Sequence, residues 1–124
     1  MTALDESMDN YYTRDPRVRF GTALTWSFVR TRTEDDRKMH LDIALSVLAD
    51  DSDPRVKFAA VFTVAQYATN SGLGENTERY VQQILVEYKS ESQRVQAEFP
   101  ELTQIKDRFA KLRKRKFPHL KDWI

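Results

Sequence analysis

Few residues in this chain have the types and spacing that catalysis requires. His40 and His119 are the only histidines, and they lie far apart in a sequence of 124 residues that contains no cysteine. Thiol catalysis and cysteine-bound metals are therefore excluded. The sequence also lacks a glycine-rich phosphate loop, an HExxH motif and a Gly-x-Ser-x-Gly motif. We predict a protein that is not an enzyme and that holds no cofactor and no metal ion.

Three aspartates are spaced as calcium ligands sometimes are. Asp50, Asp51 and Asp53 lie close together, but the glycine and the terminal glutamate of an EF-hand loop are missing. Asp53 also precedes Pro54, and an aspartate before a proline commonly starts a helix, where its carboxylate accepts hydrogen bonds from free backbone N–H groups. We therefore predict structural roles for these carboxylates.

The C-terminal segment carries the strongest charge in the chain. Residues 106–124 have a net charge of +6 and the whole chain has +1, which leaves −5 for residues 1–105. The candidate binding residues of this basic tail are Arg113, Lys114, Arg115, Lys116 and Lys121. They could bind anionic lipid, at about 1 kcal/mol per basic residue, or nucleic acid or an acidic protein surface. Alternatively, they are solvated cations that interact favourably with a helix dipole. Because the rest of the chain is acidic, we do not expect nucleic acid to be the main partner.

A short repeat organises the elements that carry these groups. Asp15-Pro16-Arg17-Val18-Arg19-Phe20 returns 38 residues later as Asp53-Pro54-Arg55-Val56-Lys57-Phe58. A period of this length is typical of stacked helical hairpins, none of which can bury its apolar face alone. The two copies predict helices over about residues 16–31 and 54–70. The second helix is apolar nearly all round, so we expect it at the centre of the core.

Further helices are predicted around this central one. Thr33-Glu34-Asp35-Asp36 is similar to a capping box and precedes a helix with apolar residues at positions 41, 44, 45 and 48. Residues 70–74 form a break, an apolar stripe follows over 80–88, and Pro100 either kinks or restarts a last helix over 95–112. Residues 1–14 could form a short amphipathic helix. The sequence thus predicts an all-α protein of five or six helices, with one domain over residues 1–112 and the basic tail over 113–124.

Two families of helical repeats resemble parts of this sequence. Residues 48–60, which contain the Asp53-Pro54-Arg55-Val56-Lys57 step, resemble a HEAT repeat. A longer stretch, over residues 20–97, resembles the tetratricopeptide-like soluble domain of the mitochondrial fission adaptor family. The matching motifs are Trp26-Ser27-Phe28-Val29-Arg30, an acidic turn before Arg37-Lys38, Val64-Ala65-Gln66-Tyr67 and Tyr80-Val81-Gln82-Gln83-Ile84-Leu85. This resemblance implies two stacked tetratricopeptide-like hairpins with flanking helices.

The chain differs from the fission adaptor family at several points. His40 and Thr77 stand where the family has small residues at close helix contacts, and the loop around Gly72 is two residues longer. Members of the family end in a membrane anchor, whereas no run in this sequence approaches the roughly 20 apolar residues that cross a bilayer. We therefore expect no transmembrane segment in this chain.

The resemblance implies a binding surface and a role. In the tetratricopeptide-like register, the concave face would be lined by Thr25, Val29, Arg32, Ala60, Val64 and Tyr67. Such a face can hold a helix or an extended peptide, either from a partner or from the chain's own N-terminal arm.

With no catalytic motif, the expected role is a non-catalytic helical scaffold. It would be an accessory, peripheral subunit of a larger mitochondrial membrane assembly, such as one of the respiratory chain, and it would act through contacts with other protein subunits. The alternative is a fission-type adaptor that recruits a partner to a mitochondrial or peroxisomal membrane. The mitochondrial, membrane-associated location is implied by the resemblance only, and the alternative location is cytoplasmic.

Overall fold

A computed structural model of the chain describes residues 11–115 and 120–124. Within these residues all regular structure is helical, as the sequence predicts. The helices are α1 (Pro16–Trp26), α2 (Glu34–Asp50), α3 (Pro54–Ala65), α4 (Glu75–Glu98), α5 (Glu101–Leu112) and α6 (Leu120–Trp123). The short helix expected within residues 1–14 falls mostly outside the described residues.

The two copies of the repeat begin helices in the same way. In α1 the Asp15 carboxylate accepts a hydrogen bond from the Arg17 N–H at 2.8 Å. In α3 the Asp53 carboxylate accepts one from the Arg55 N–H at 2.9 Å. Each helix then has its proline in the first turn, where the missing N–H costs nothing. The predicted helix starts are therefore confirmed.

The other helix starts also follow the sequence signals. The Thr33 hydroxyl caps α2 by accepting a hydrogen bond from the Asp36 N–H at 3.0 Å. At Pro100 the chain starts a new helix instead of kinking the old one, because α4 ends at Glu98 and α5 begins at Glu101. Of the two outcomes that the sequence left open at this proline, the second is observed.

Helices α1 and α3 are shorter than predicted. The N–H groups of residues 27–29 and 66–68 bond to carbonyls three residues back, and this tighter pattern closes each helix. At the end of α1, side chains also take the carbonyls that the next helical turn would need: His40 bonds to the Trp26 carbonyl, and Gln66 bonds to the Ser27 carbonyl. Tertiary contacts therefore override the helical pattern that continues in the sequence.

Helix α3 forms the centre of the core. It packs against α1, α2 and α4, and nine of its twelve residues are buried. The Phe62 ring stacks on Phe109 of α5 with centroids 4.8 Å apart, and Phe58 meets Phe62 edge to face at 5.3 Å. The prediction that this helix lies at the centre of the core is confirmed.

The end of the chain also packs on this core. Ile124 is buried, Trp123 is half-buried, and α6 contacts both α4 and α5. The buried Ser92 hydroxyl donates a hydrogen bond to the Ile124 carbonyl at 3.1 Å. Trp123 and Ile124, which the sequence analysis assigned to the basic tail, therefore contact the helical core.

A buried polar group, the Asp51 cluster, joins α1 to the turn after α2; we define it as Tyr11, Arg19, Asp51 and the backbone N–H of Asp53. The Asp51 carboxylate accepts two hydrogen bonds from Arg19 (3.0 and 3.2 Å), one from the Tyr11 hydroxyl (3.3 Å) and one from the Asp53 N–H (2.9 Å). Burial, reinforced by Asp51, raises the pKa of Tyr11, so its hydroxyl stays protonated as a donor. Every carboxylate oxygen is satisfied, which offsets the cost of burying the charge.

None of the helices in the described part of the chain combines the length and the hydrophobicity that crossing a bilayer requires.

Candidate functional site

An open pocket of about 510 Å³ lies where the loop after α1, the start of α2, the turn after α3 and the end of α5 meet. Its lining residues are Val29, Arg30, Thr31, Arg32, Arg37, Gln66, Tyr67, Asn70, Ser71 and Arg113. We call it the arginine-lined pocket. It joins Arg32 of the predicted groove to Arg113 of the predicted basic tail, which the sequence had placed at two separate sites.

Two side chains hold the loop after α1 against the core. Gln66, which caps the end of α3, donates from its amide to the Ser27 carbonyl at 2.7 Å. His40 of α2 lies 2.7 Å from the Trp26 carbonyl through its Nε2 atom. These bonds fix the point at which the chain leaves α1, and therefore fix where Val29 to Arg32 stand.

Behind the pocket, His40 belongs to a relay of hydrogen bonds. Because the Trp26 carbonyl can only accept, Nε2 of His40 carries the proton and Nδ1 accepts from the Tyr67 hydroxyl at 2.8 Å. Thr31 lines the pocket together with Tyr67 and works to lower its pKa. Burial lowers the pKa of His40, partly opposed by its bond to the Trp26 carbonyl, and burial raises the pKa of Tyr67. Both rings are therefore neutral around neutral pH.

Arg37 is held tightly against the turn after α3. The backbone of this turn has positive φ at Asn70 (50°) and Gly72 (74°). A Cβ atom at Gly72 would lie 3.1 Å from both Nε and Nη2 of Arg37, so the guanidinium rests on the bare glycine. The Nε–H of Arg37 is buried and has no hydrogen-bond acceptor among the residues that the structure describes. An unsatisfied buried donor of this kind costs stability and calls for an explanation.

Arg113 connects the pocket to Phe28, an exposed aromatic residue next to the lining residue Val29. The Arg113 guanidinium lies over the Phe28 ring at 5.6 Å, and Phe28 meets Phe109 edge to face at 5.3 Å. Phe28 nonetheless remains 45% exposed, and the neighbouring Val29 is 47% exposed. A basic pocket and an apolar edge are therefore continuous on this surface.

All charged side chains that line the pocket are positive. Four of its lining residues are arginines and none is a carboxylate. In the described part of the chain, Arg30, Arg32 and Arg37 form no ion pair. The acidic residues of the first turn of α2 are exposed and do not line the pocket. The charge that the lining residues present to the pocket is therefore positive.

The residues predicted to line the groove do not all lie on one surface in the structure. Val29, Arg32 and Tyr67 line the arginine-lined pocket. Ala60 and Val64 are fully buried, so the expectation that they face a concave surface is corrected. The reason is that α3 is packed on all sides, and its small and β-branched side chains fill the core.

Thr25 and Tyr11, the first described residue, are not part of the pocket lining. Thr25 is exposed on α1, and its hydroxyl donates to the Gly21 carbonyl at 2.8 Å. Tyr11 packs against Trp26 with ring centroids 5.4 Å apart, in a cluster that includes Ala60. Residues 1–10 of the arm lie outside the described residues. Binding of a partner segment stays a prediction.

The basic tail is only partly described. Arg113 is half-buried at the pocket, whereas Lys114 and Arg115 are exposed. Lys116 lies outside the described residues, and the side chain of Lys121 is not described. The lipid or protein partner predicted for this tail therefore stays a prediction.

Sequence reasoning missed Arg30 and Arg37 as site residues. Both stood in the motifs that carry the fission adaptor resemblance, but no rule assigned them a ligand. The available signal was three arginines within eight residues, but Glu34, Asp35 and Asp36 lie between Arg32 and Arg37 in the sequence, so no excess of positive charge was visible there. The turn at residues 70–72, which supports Arg37, was visible only as a break.

No protein-family model, no curated protein and no solved structure matches this chain.

Proposed function

We propose that the protein is a non-catalytic helical scaffold that works as an accessory, peripheral subunit of a larger mitochondrial membrane assembly, such as one of the respiratory chain. It acts through contacts with other protein subunits. The observation that carries the proposal is the continuous surface formed by the exposed Phe28 and Val29 beside the arginine-lined pocket.

This surface has the composition of a protein interface. Aromatic residues and arginine are enriched at interfaces, because each combines a large apolar area with specific polar contacts. Phe28 is held in place by Phe109 and Arg113, so little side-chain entropy would be lost when a partner covers it. The mitochondrial setting is supported only by the sequence resemblance to the fission adaptor family.

The experiment compares two substitutions of exposed valines in the tagged, full-length protein in its own cells. Val29→Glu places a carboxylate at the edge of the proposed interface, and Val86→Glu makes the same change on α4, outside that surface. Val29 is 47% exposed and Val86 is 61% exposed, so both variants should fold. Protein recovered with the tagged chain is quantified by mass spectrometry at low and at high salt.

We expect a defined set of subunits at fixed stoichiometry, resistant to salt, reduced about tenfold or more by Val29→Glu and unchanged by Val86→Glu. Substoichiometric, salt-sensitive recovery that responds to Val29→Glu would favour the alternative, a fission-type adaptor. Equal recovery with both variants would contradict a role for this surface.

A further inference from the structure

We propose that the arginine-lined pocket is a binding site for a phosphoryl group carried by a small ester or a lipid headgroup. The inference goes beyond the scaffold role and does not depend on it, because an anion site could serve a free protein as well as a subunit. It rests on the charge of the pocket, on one buried donor and on the size of the space.

The arginines of this molecule differ in whether a carboxylate accompanies them. Where the fold places arginine against its own core it supplies a carboxylate: Arg19 pairs with Asp51 at 3.0 Å, and Arg55 pairs with Asp53 at 3.1 Å. In the pocket, Arg30, Arg32 and Arg37 meet on one surface without any carboxylate among its lining residues. A group of like charges is costly to hold together unless an anion is bound there.

The buried N–H donor of Arg37 also supports the binding of an anion. The Arg37 guanidinium is fixed against Gly72, and its Nε–H lacks an acceptor within the described residues. Planar guanidinium groups bind phosphate or carboxylate oxygens through pairs of parallel N–H donors. An anion that enters the pocket would supply acceptors to a guanidinium whose position is already set, so little entropy would be lost on binding.

The phosphoryl group is favoured over a single carboxylate by charge and volume. A phosphate ester brings close to two negative charges and three acceptor oxygens, which suits several arginines at once. The hydroxyl residues Thr31 and Ser71 and the amide residue Asn70 also line the pocket. The volume of about 510 Å³ exceeds that of one anion and falls in the range of small-molecule sites, so the phosphoryl group would arrive on a larger molecule.

The test is calorimetric titration of the purified full-length chain with inorganic pyrophosphate at low ionic strength. We expect saturable binding of one pyrophosphate per chain. Arg32→Gln and Arg37→Gln should each weaken it by about tenfold or more, the equivalent of one hydrogen bond to a charged group. Arg79→Gln is the matched control, because Arg79 is exposed on α4 and lies outside the pocket. It should leave the affinity nearly unchanged.

Arg32→Gln keeps the test decisive if Arg37→Gln disturbs the turn at Gly72, because Arg32 is exposed. Absence of saturable binding would overturn the proposal. Equal weakening by Arg79→Gln and Arg32→Gln would also overturn it, since binding would then follow net charge alone.

Two further arms identify the source of the phosphoryl group. Glycerol 3-phosphate represents a soluble ester, and phosphatidylcholine vesicles that contain phosphatidic acid present the same group on a lipid. Competition with pyrophosphate by either one, lost in Arg32→Gln, supports the site and names its source. Vesicle binding that is lost only in a Lys114→Gln, Arg115→Gln double variant would instead assign lipid contact to the basic tail.

Discussion

The Asp51 cluster and the arginine-lined pocket use the same residue type in opposite ways at the two ends of α3. In the Asp51 cluster, Arg19 is buried with a carboxylate that accepts from it twice. In the arginine-lined pocket, Arg37 is packed against the fold, its Nε–H has no acceptor among the described residues, and no carboxylate lines the pocket. Arginine stabilises the protein where it is paired, and it is available for a ligand where it is not.

The largest effect should come from breaking the paired region. Asp51→Asn removes the charge opposite Arg19 and leaves a buried guanidinium without its counter-ion, so we expect a loss of about 3–5 kcal/mol in the free energy of unfolding. Urea denaturation monitored by circular dichroism measures it. Asp50→Asn is the control, because Asp50 is exposed at the adjacent position and should change stability very little.

The His40 relay behind the pocket should make stability depend on pH. Burial lowers the pKa of His40 in the folded protein, so between the unfolded value of about 6.5 and the lower folded value the unfolded chain binds more protons. Stability is therefore fully present above about pH 6.5 and falls as the pH drops through this window, by at most about 1.4 kcal/mol per pH unit. Denaturation curves measured from pH 7.5 to pH 5 should show this slope for the native chain.

The matching variant for that measurement is His40→Gln, whose amide can still donate to the Trp26 carbonyl and accept from Tyr67. The slope should be smaller in this variant. An unchanged slope would assign the pH dependence to other groups.

Removing the helix cap should destabilise the protein less than the changes above, and to a different extent in the two copies of the repeat. Burial works to raise the pKa of Asp53, but hydrogen bonds from Arg55 hold it below its usual value. Asp53→Ala removes both the cap of α3 and this contact, and we expect a loss of about 1–2 kcal/mol. Asp15→Ala removes the equivalent cap of α1 on the exposed side of the molecule and should cost less. Thermal melts of the two variants side by side test the order, which would be refuted if Asp15→Ala were the more damaging.

The repeat also shows how far sequence reasoning extends. Both copies predicted a capped helix, because a cap depends only on residues that are neighbours in the chain. Their burial differs: Val18 is 49% exposed, whereas the equivalent Val56 is fully buried. That difference follows from α1 lying at the edge and α3 at the centre, and only the even distribution of apolar residues on α3 indicated it in advance.

Contacts between distant segments account for what the sequence could not predict. Arg19 and Asp51 are 32 residues apart, and Asp51 could be assigned only to a group of neighbouring carboxylates. The arginine-lined pocket depends on where α1 ends, and its end was set by Gln66 and His40 rather than by local preference. Ala60 and Val64 were placed on a surface because a repeat register was carried over to a helix that is buried all round.

The unfolding free energies of Arg19→Gln and Arg37→Gln, measured in the same phosphate-free buffer, test the contrast between the two regions most directly. Arg19→Gln should lose about 3–5 kcal/mol, because it leaves the buried Asp51 without its partner. Arg37→Gln should stay within about 0.5 kcal/mol of the native chain or exceed it, because it removes a buried donor that has no acceptor among the described residues. A loss in Arg37→Gln as large as that in Arg19→Gln would show that Arg37 is a structural residue and would contradict the contrast between the two regions.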